Sequence, residues 1–216
     1  LLRKEHMPIE IVINRDAVGA GLVERVADAV GNGQVVVCPT DTFYALVADA
    51  SNTVATERIF SIKGRRPGQP LPLMAANLDQ VAARVGTLPD LGRRLASTFW
   101  PGPLTLVISA HETLCYGCRA EDGSAAVRVP NQSIAREIAL RIGGAVTATS
   151  ANLSGRGEVR RVNDLDETVR QAVDVIVDAG TLVGGAPSTI VDARDGTPRL
   201  VRAGAVAWDR VLESLT

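Results

Sequence analysis

The chain has little with which to do imidazole, thiol or aromatic chemistry: two histidines, three cysteines and 3% aromatic residues among 216. His6 and His111 are too few for a histidine-based triad or a multi-histidine metal site. Three cysteines do not build a disulfide framework, which fits a reducing compartment. No stretch approaches the roughly 18 to 20 uninterrupted apolar residues of a membrane span, and residues 1–8, LLRKEHMP, lack the apolar region of a secretory signal. A cytoplasmic chain with no membrane contact is expected. Also missing are a Gly-rich loop ending in Lys-Ser/Thr, a complete G-x-G-x-x-G after a strand, G-x-S-x-G and H-E-x-x-H, which removes the common nucleotide and hydrolase signatures. A net charge of −1 gives no global attraction to nucleic acid or anionic lipid, so any polyanion must meet a local cluster of arginines.

What is present is a large aliphatic core. The composition is 46% hydrophobic, and the length suits one large domain or two small ones. A short strand at Ile9 to Ile13 precedes a helix that Asp16 can cap, with Val18, Leu22, Val26 and Val30 in register and Gly31 and Gly33 at its end. QVVVC, Gln34 to Cys38, is a buried strand by its β-branched density, and Pro39 is expected to stop its ladder. Ser51 can cap a helix carrying Ala55, Ile59 and Ile62, which Gly64 ends directly after Lys63. Later strands are predicted at Leu71 to Ala75, Leu104 to Ser109, Ala125 to Val129, Ala145 to Thr149, Val175 to Val177, Thr189 to Val191 and Leu200 to Val201. Helices are predicted at Leu78 to Val85, Leu91 to Phe99, Ser133 to Ile142, Leu165 to Val173 and from Trp208. Early alternation and later short connections predict an α/β fold, a twisted mixed parallel/antiparallel sheet with flanking helices. No composition break divides the chain, so residues 1–8 read as a tail and 9–216 as a single domain.

Four segments can carry chemistry. Lys63-Gly64-Arg65-Arg66 sits at a helix C-terminus, where one cation would offset the macrodipole by about 0.3–1 kcal/mol. Three cations before a Pro-stiffened loop also suit a polyphosphate, and both readings stand. PTDTFYAL, Pro39 to Leu46, is either a turn satisfying its own backbone or a binding loop in which Thr40, Thr42 and the Tyr44 hydroxyl meet a small polar ligand. TATSANLSG offers Ser150 and Asn152 to phosphate or metal-bound water, or is a polar strand-end turn. Arg128, within the apolar strand AAVRVP, needs an acceptor: a ligand carboxylate or an internal aspartate. Cys115-Tyr116-Gly117-Cys118, with His111 four residues upstream, could suggest zinc or redox chemistry, but the remaining zinc-ligand candidates are only Cys38 and distant carboxylates, and the segment otherwise reads as a loop with two incidental thiols.

Taken in series, PTDTFYAL, KGRRPGQPL, FWPGPLTLV, AVRVP, TSANLSG, PSTIVD and RLVRAG resemble the YrdC-like threonylcarbamoyl-AMP synthase family, from about Val35 to Gly204. The resemblance implies a sheet curved around a concave cavity. It implies formation of threonylcarbamoyl-AMP and pyrophosphate from L-threonine, bicarbonate or CO2 and ATP, with Mg2+ held mostly by ATP and water. The product would pass to a separate tRNA-threonylcarbamoyl transferase for threonylcarbamoyladenosine modification, with weak tRNA binding as a further expectation. The family's K-x-R and S-x-N signatures match Lys63/Arg65 and Ser150/Asn152, implying catalytic and nucleotide roles. By the same matching Thr40, Thr42 and Tyr44 line the threonine pocket, Arg128 binds the amino-acid carboxylate, Ser188 is a substrate contact, and Arg202 and Gln69 contact the nucleotide. Lys63 is then expected to be a rotatable ammonium that follows charge along the phosphates.

Ala45, Arg66 and Met74 depart from the family's usual glycine, proline and occasional histidine. After RLVRAG, no extension of the kind that forms a second domain in longer members is expected. The rivals are a YrdC-like paralogue of altered activity and a non-catalytic RNA-binding module using Arg65, Arg66, Arg156, Arg160, Arg161 and Arg202. Backbone binding needs charge but has no use for the trio Lys63, Ser150 and Asn152.

Overall fold

The computed structural model describes residues 7–14, 19–66, 68–131 and 134–216. The proposed cap Asp16, the register residue Val18 and the helix start Ser133 lie outside the described residues. Twelve strands and seven α-helices are present among them. In chain order they are β1 (Ile9–Val12), α1 (Ala20–Gly31), β2 (Val36–Pro39), β3 (Tyr44–Val47), α2 (Thr53–Lys63), β4 (Leu73–Met74), α3 (Leu78–Arg84), β5 (Gly86–Thr87), α4 (Asp90–Phe99) and β6 (Leu104–Ala110). There follow β7 (Ser124–Arg128), α5 (Ile134–Ile142), β8 (Val146–Thr147), β9 (Thr149–Ser150), α6 (Glu167–Ala172), β10 (Val175–Asp178), β11 (Thr189–Asp192), β12 (Arg199–Arg202) and α7 (Trp208–Glu213).

The strands form two sheets where the sequence suggested one. The first runs β1-β10-β2-β3-β9, and the second β12-β11-β6-β7-β4-β8 with β5 against β6. Both mix parallel pairs, such as β1 with β10 and β11 with β6, and antiparallel pairs, such as β2 with β3 and β6 with β7. The segment expected as one strand, Ala145 to Thr149, changes sheet at Ala148: Val146 and Thr147 pair with β4, whereas Thr149 and Ser150 pair with β3. The Ala148 N–H, freed from either ladder, donates to Pro72 O at 2.8 Å. A backbone running from one sheet to the other leaves its next residues, Ser150 to Asn152, at the seam between them.

Two further expectations are corrected. Pro39 does not stop its ladder, because it pairs with Tyr44 beyond the last residue of β2 that pairs with β10, so its missing N–H takes nothing from the parallel register. PTDTFYAL is therefore the turn and return strand of a hairpin and not a loop. At α2 the cap is Asn52, whose side chain accepts from Ala55 N at 3.0 Å, while Ser51 Oγ is engaged by Asp49. The aliphatic residues fill two clusters. One contains Leu46, Ile59, Leu73, Leu104, Leu106 and Ile108, and the other packs Val26, Val30, Ile134 and Ile138 against Val36, Val47 and Val177. These cores leave polar side chains at the strand ends that face the seam.

Candidate active site

Helix α2 delivers Lys63 to the seam. Its C-cap Gly64 takes the left-handed conformation at φ 56°, and the Gly64 and Arg65 N–H groups bond back to Ser61 O and Phe60 O. Lys63 is thereby fixed on the last turn with its side chain directed inward, only 3% exposed. Its ammonium donates to Ser150 O at 2.5 Å, Asn152 O at 2.7 Å and Asn152 Oδ1 at 2.9 Å. Three N–H groups thus meet three oxygens of one turn. The backbone closes the same joint in reverse, because Lys63 O accepts from Ser154 N at 2.9 Å. Ser150 Oγ donates to Asn152 Oδ1 at 2.6 Å, and Asn152 Nδ2 donates to Arg156 O and Gly157 O. Burial, and next the nearby Arg65 charge, push the Lys63 pKa down to about 8.

Beside this turn lies a cavity of about 340 Å³. Of the residues expected at a site, Thr40, Thr42, Tyr44, Arg65, Arg128, Ser150, Ser188 and Arg202 line it. Lys63, Gln69 and Asn152 do not. Lys63 stands behind the Ser150 wall with its three donors engaged, so the freely rotating ammonium expected from sequence is instead a fixed one. Gln69 is exposed, and its carbonyl accepts from Arg65 Nε at 2.8 Å.

Two hydroxyls are used differently from the expectation. Tyr44 is fully buried, and its hydroxyl donates toward Gly180 O at 2.8 Å, lies 3.2 Å from Asp178 Oδ1 and accepts from Ala179 N at 2.9 Å. The phenol therefore holds the turn after β10, and its oxygen is not offered to the cavity. Thr40 Oγ1 donates to Phe43 O at 2.7 Å and accepts from Thr42 N and Phe43 N at 3.2 Å each, so it organises the hairpin turn. Thr42 Oγ1 has no partner among these contacts, and Thr42 O takes the Gly184 N–H at 3.1 Å.

Three guanidiniums line the cavity against one lining carboxylate, Glu158. Arg65 is anchored to Gln69 O and Pro70 O, and burial lowers its pKa. Arg202 donates to Ser188 O at 2.7 Å and Ser188 Oγ at 3.2 Å, and Ser188 Oγ lies 2.8 Å from Thr105 Oγ1. That contact depends on Gly204, where a Cβ would stand 2.3 Å from Pro187 O, so only glycine lets the RAG segment close on Pro187-Ser188. Burial lowers the Arg202 pKa most, with Glu158 raising it and Arg128 lowering it further. Arg128, 8% exposed, is paired with Asp41 at 3.1 and 3.3 Å, which is the internal-aspartate alternative raised from sequence.

Thr105, Thr149 and Glu158 are cavity residues that the sequence reading did not single out. Thr105 lies in the segment FWPGPLTLV and Glu158 in residues 153–163, which form no strand or α-helix, and neither residue type carries a spacing signal. Cys115 and Cys118 are buried free thiols on a turn away from the cavity lining, and Cys115 Sγ lies 3.3 Å from Thr53 Oγ1. Among the described residues no group of three or more His, Cys, Asp or Glu side chains is arranged to hold a metal ion, and no helix is long and apolar enough to cross a membrane.

The chain is similar to several known proteins. A relative from Mycobacterium leprae (strain TN) is 35% identical over 195 residues, covering 90% of this chain and 88% of its own. The Threonylcarbamoyl-AMP synthase of Vibrio vulnificus (strain YJ016) is 32% identical over 184 residues, 84% of this chain and 98% of the relative. The crystal structure of P. abyssi Sua5 complexed with L-threonine superposes with a TM-score of 0.82 at 28% identity, over 97% of this chain and 61% of the Sua5 chain. The Sua5/YciO/YrdC family model, whose description reads Telomere recombination, matches residues 28–204. That span contains every residue of the cavity lining, and the chain belongs to the Sua5/YciO/YrdC family.

Proposed function

We propose that this protein is an L-threonylcarbamoyladenylate synthase, a nucleotidyltransferase that makes threonylcarbamoyl-AMP and pyrophosphate from L-threonine, bicarbonate or CO2 and ATP. The observation that carries the reading is one cavity lined by Arg65, Arg128, Arg202, Ser150 and Thr42, with the Lys63 ammonium immediately behind its Ser150 wall. The names of the relatives, and the threonine in the Sua5 complex, support the same reaction.

The chemistry requires two anions to meet. The threonine amine attacks CO2, losing a proton and forming a carbamate. A carbamate oxygen then bonds to the α-phosphorus of ATP as the bond to the β-phosphate oxygen breaks, and pyrophosphate leaves with the electron pair. Both partners are negative, and stabilising charge on the phosphoryl oxygens is the main task of the protein. In this reading Arg128 receives the amino-acid carboxylate, Thr42 and Ser188 contact the amino acid, and Arg65 and Arg202 receive phosphate oxygens. Lys63 acts through its fixed position: it clamps the Ser150-Ala151-Asn152 turn and adds positive field behind Ser150. Asn152 shapes that turn, Thr40 and Tyr44 shape the amino-acid side of the cavity, and Gln69 contributes from the rim. The nucleotide would bring Mg2+ with it. A triphosphate-bound ion needs only one or two protein oxygens, which Glu158 and Ser150 fit, and it would supply neutralisation of phosphate charge.

The product feeds tRNA threonylcarbamoyladenosine modification through a separate transferase in the cytoplasm, with residues 9–216 acting as one domain and tRNA touching it only weakly. The reading is tested by pyrophosphate release from ATP and bicarbonate with L-threonine, with L-serine and with no amino acid. Release that depends on threonine supports it. Release independent of any amino acid, or none at all, refutes it.

A further inference from the structure

Arg128 enters the cavity already holding a carboxylate, and that carboxylate belongs to the protein. The Asp41 oxygens lie 3.1 Å and 3.3 Å from Arg128 Nη2 and Nη1, longer than the roughly 2.7–2.9 Å of a tight charge-assisted pair. The two partners are held unequally. The Arg128 side chain is 9% exposed and rooted in β7, whereas the Asp41 side chain is 25% exposed and sits in the β2–β3 turn. That turn does not need the Asp41 carboxylate. Its backbone is fixed by Thr40 Oγ1, by the Pro39–Tyr44 pair and by Thr42 O on Gly184 N. Asp41 can therefore rotate outward while Thr40, Thr42 and the hairpin stay in place. Arg128, at the end of β7 and more deeply buried, is the less free of the two to move.

We propose that Asp41 is an affinity-setting residue: its carboxylate occupies on Arg128 the place of the amino-acid carboxylate and is displaced when substrate binds. The proposal rests on the reading of Arg128 as the carboxylate receptor. Like replaces like on the guanidinium, so the empty cavity keeps Arg128 compensated, and substrate gains only the difference between its own pair and the one it opens. Binding is weakened accordingly, and an adenylating cavity left without an amino acid does not present a naked guanidinium to nucleotide phosphate.

The test is calorimetric titration of the full chain and of Asp41→Asn and Asp41→Ser with L-threonine and with L-threoninol, which has no carboxylate, alongside threonine-dependent pyrophosphate release by the wild type. Displacement predicts that both variants bind threonine at least about tenfold more tightly, the scale of not having to open a charge-assisted pair, with threoninol binding unchanged. The same variants should show a larger rise in melting temperature on adding threonine. Equal or weaker threonine binding in both variants, while the wild type still releases pyrophosphate with threonine, overturns the displacement and leaves the synthase reading intact. A gain for threoninol equal to that for threonine also overturns it. Absence of threonine-dependent pyrophosphate release in the wild type fails the synthase reading, and tighter threonine binding in the variants would still support the exchange at Arg128.

Discussion

Raising the pH should switch off adenylate formation before it harms the fold. Lys63 is buried against Ser150 and Asn152 and has its pKa lowered from 10.5 to about 8 by burial and by Arg65. About nine-tenths of the ammonium is charged at pH 7 and about one-tenth at pH 9, so kcat/KM for pyrophosphate release should fall about tenfold between them. Bound triphosphate favours the charged form, and the fall in kcat should lie at higher pH than the fall in kcat/KM. Stability moves the other way. A folded-state pKa below the unfolded one means that the folded chain binds fewer protons between about 8 and 10.5, so this group adds stability as pH rises through that window and removes it as pH falls through about 8. Alkaline loss of activity with an unchanged or higher melting temperature is the signature. Threonine and bicarbonate also titrate in this range, and Lys63→Arg supplies the control. A planar guanidinium cannot converge on three oxygens of one tight turn, so its rate should be lower by about 10²-fold, but its ratio to wild type should rise steadily above pH 8. A wild-type to variant ratio that is constant from pH 7 to 9.5 would refute the reasoning.

Asn152→Ala removes the partner of Lys63 Nζ, Ser150 Oγ, Arg156 O and Gly157 O, and should cost about 2–4 kcal/mol by urea denaturation while reducing pyrophosphate release. Tyr44→Phe strands the Ala179 N–H and Gly180 O, and about 1–3 kcal/mol of stability should be lost with the KM for threonine nearly unchanged. A raised KM at unchanged stability would return the hydroxyl to the ligand. Gly64→Ala meets no atom within 4 Å but forces an alanine to φ 56°, so a loss of about 1–2 kcal/mol in denaturation should appear without any sign of a clash in a crystal structure of the variant.

Local chemistry was legible where one residue type has one meaning. Gly64 ended α2 as its conformational freedom predicts, and this put Lys63 on the last turn facing the TSAN segment. The β-branched run at β2 and the helix expected up to Ile142, found as α5, also read directly. What failed depended on partners far away in sequence. β3 was hidden because its four residues, Tyr44 to Val47, are all buried and show no alternation, while Pro39 and the Thr-Asp-Thr turn argued for a loop. One segment split between two sheets cannot be seen from its composition, since the break at Ala148 shows only in the distant partners of the residues around it, β4, Pro72 and β3. The Tyr44 hydroxyl illustrates the same limit: Tyr44 lines the cavity as expected, but its hydroxyl is bonded to the distant Asp178–Gly180 segment, whereas Thr40, also in the lining, bonds within its own turn.

The central claim is that one cavity joins an amino-acid carbamate to an adenylate, and the most direct measurement follows the carbon. Mass spectrometry of a reaction containing ATP, L-threonine and carbon-13 bicarbonate should find a product made of one threonine, one labelled carbon and one AMP, in amounts equal to the pyrophosphate released. An adenylate without the label, or ATP consumed equally when threonine is omitted, would contradict the claim.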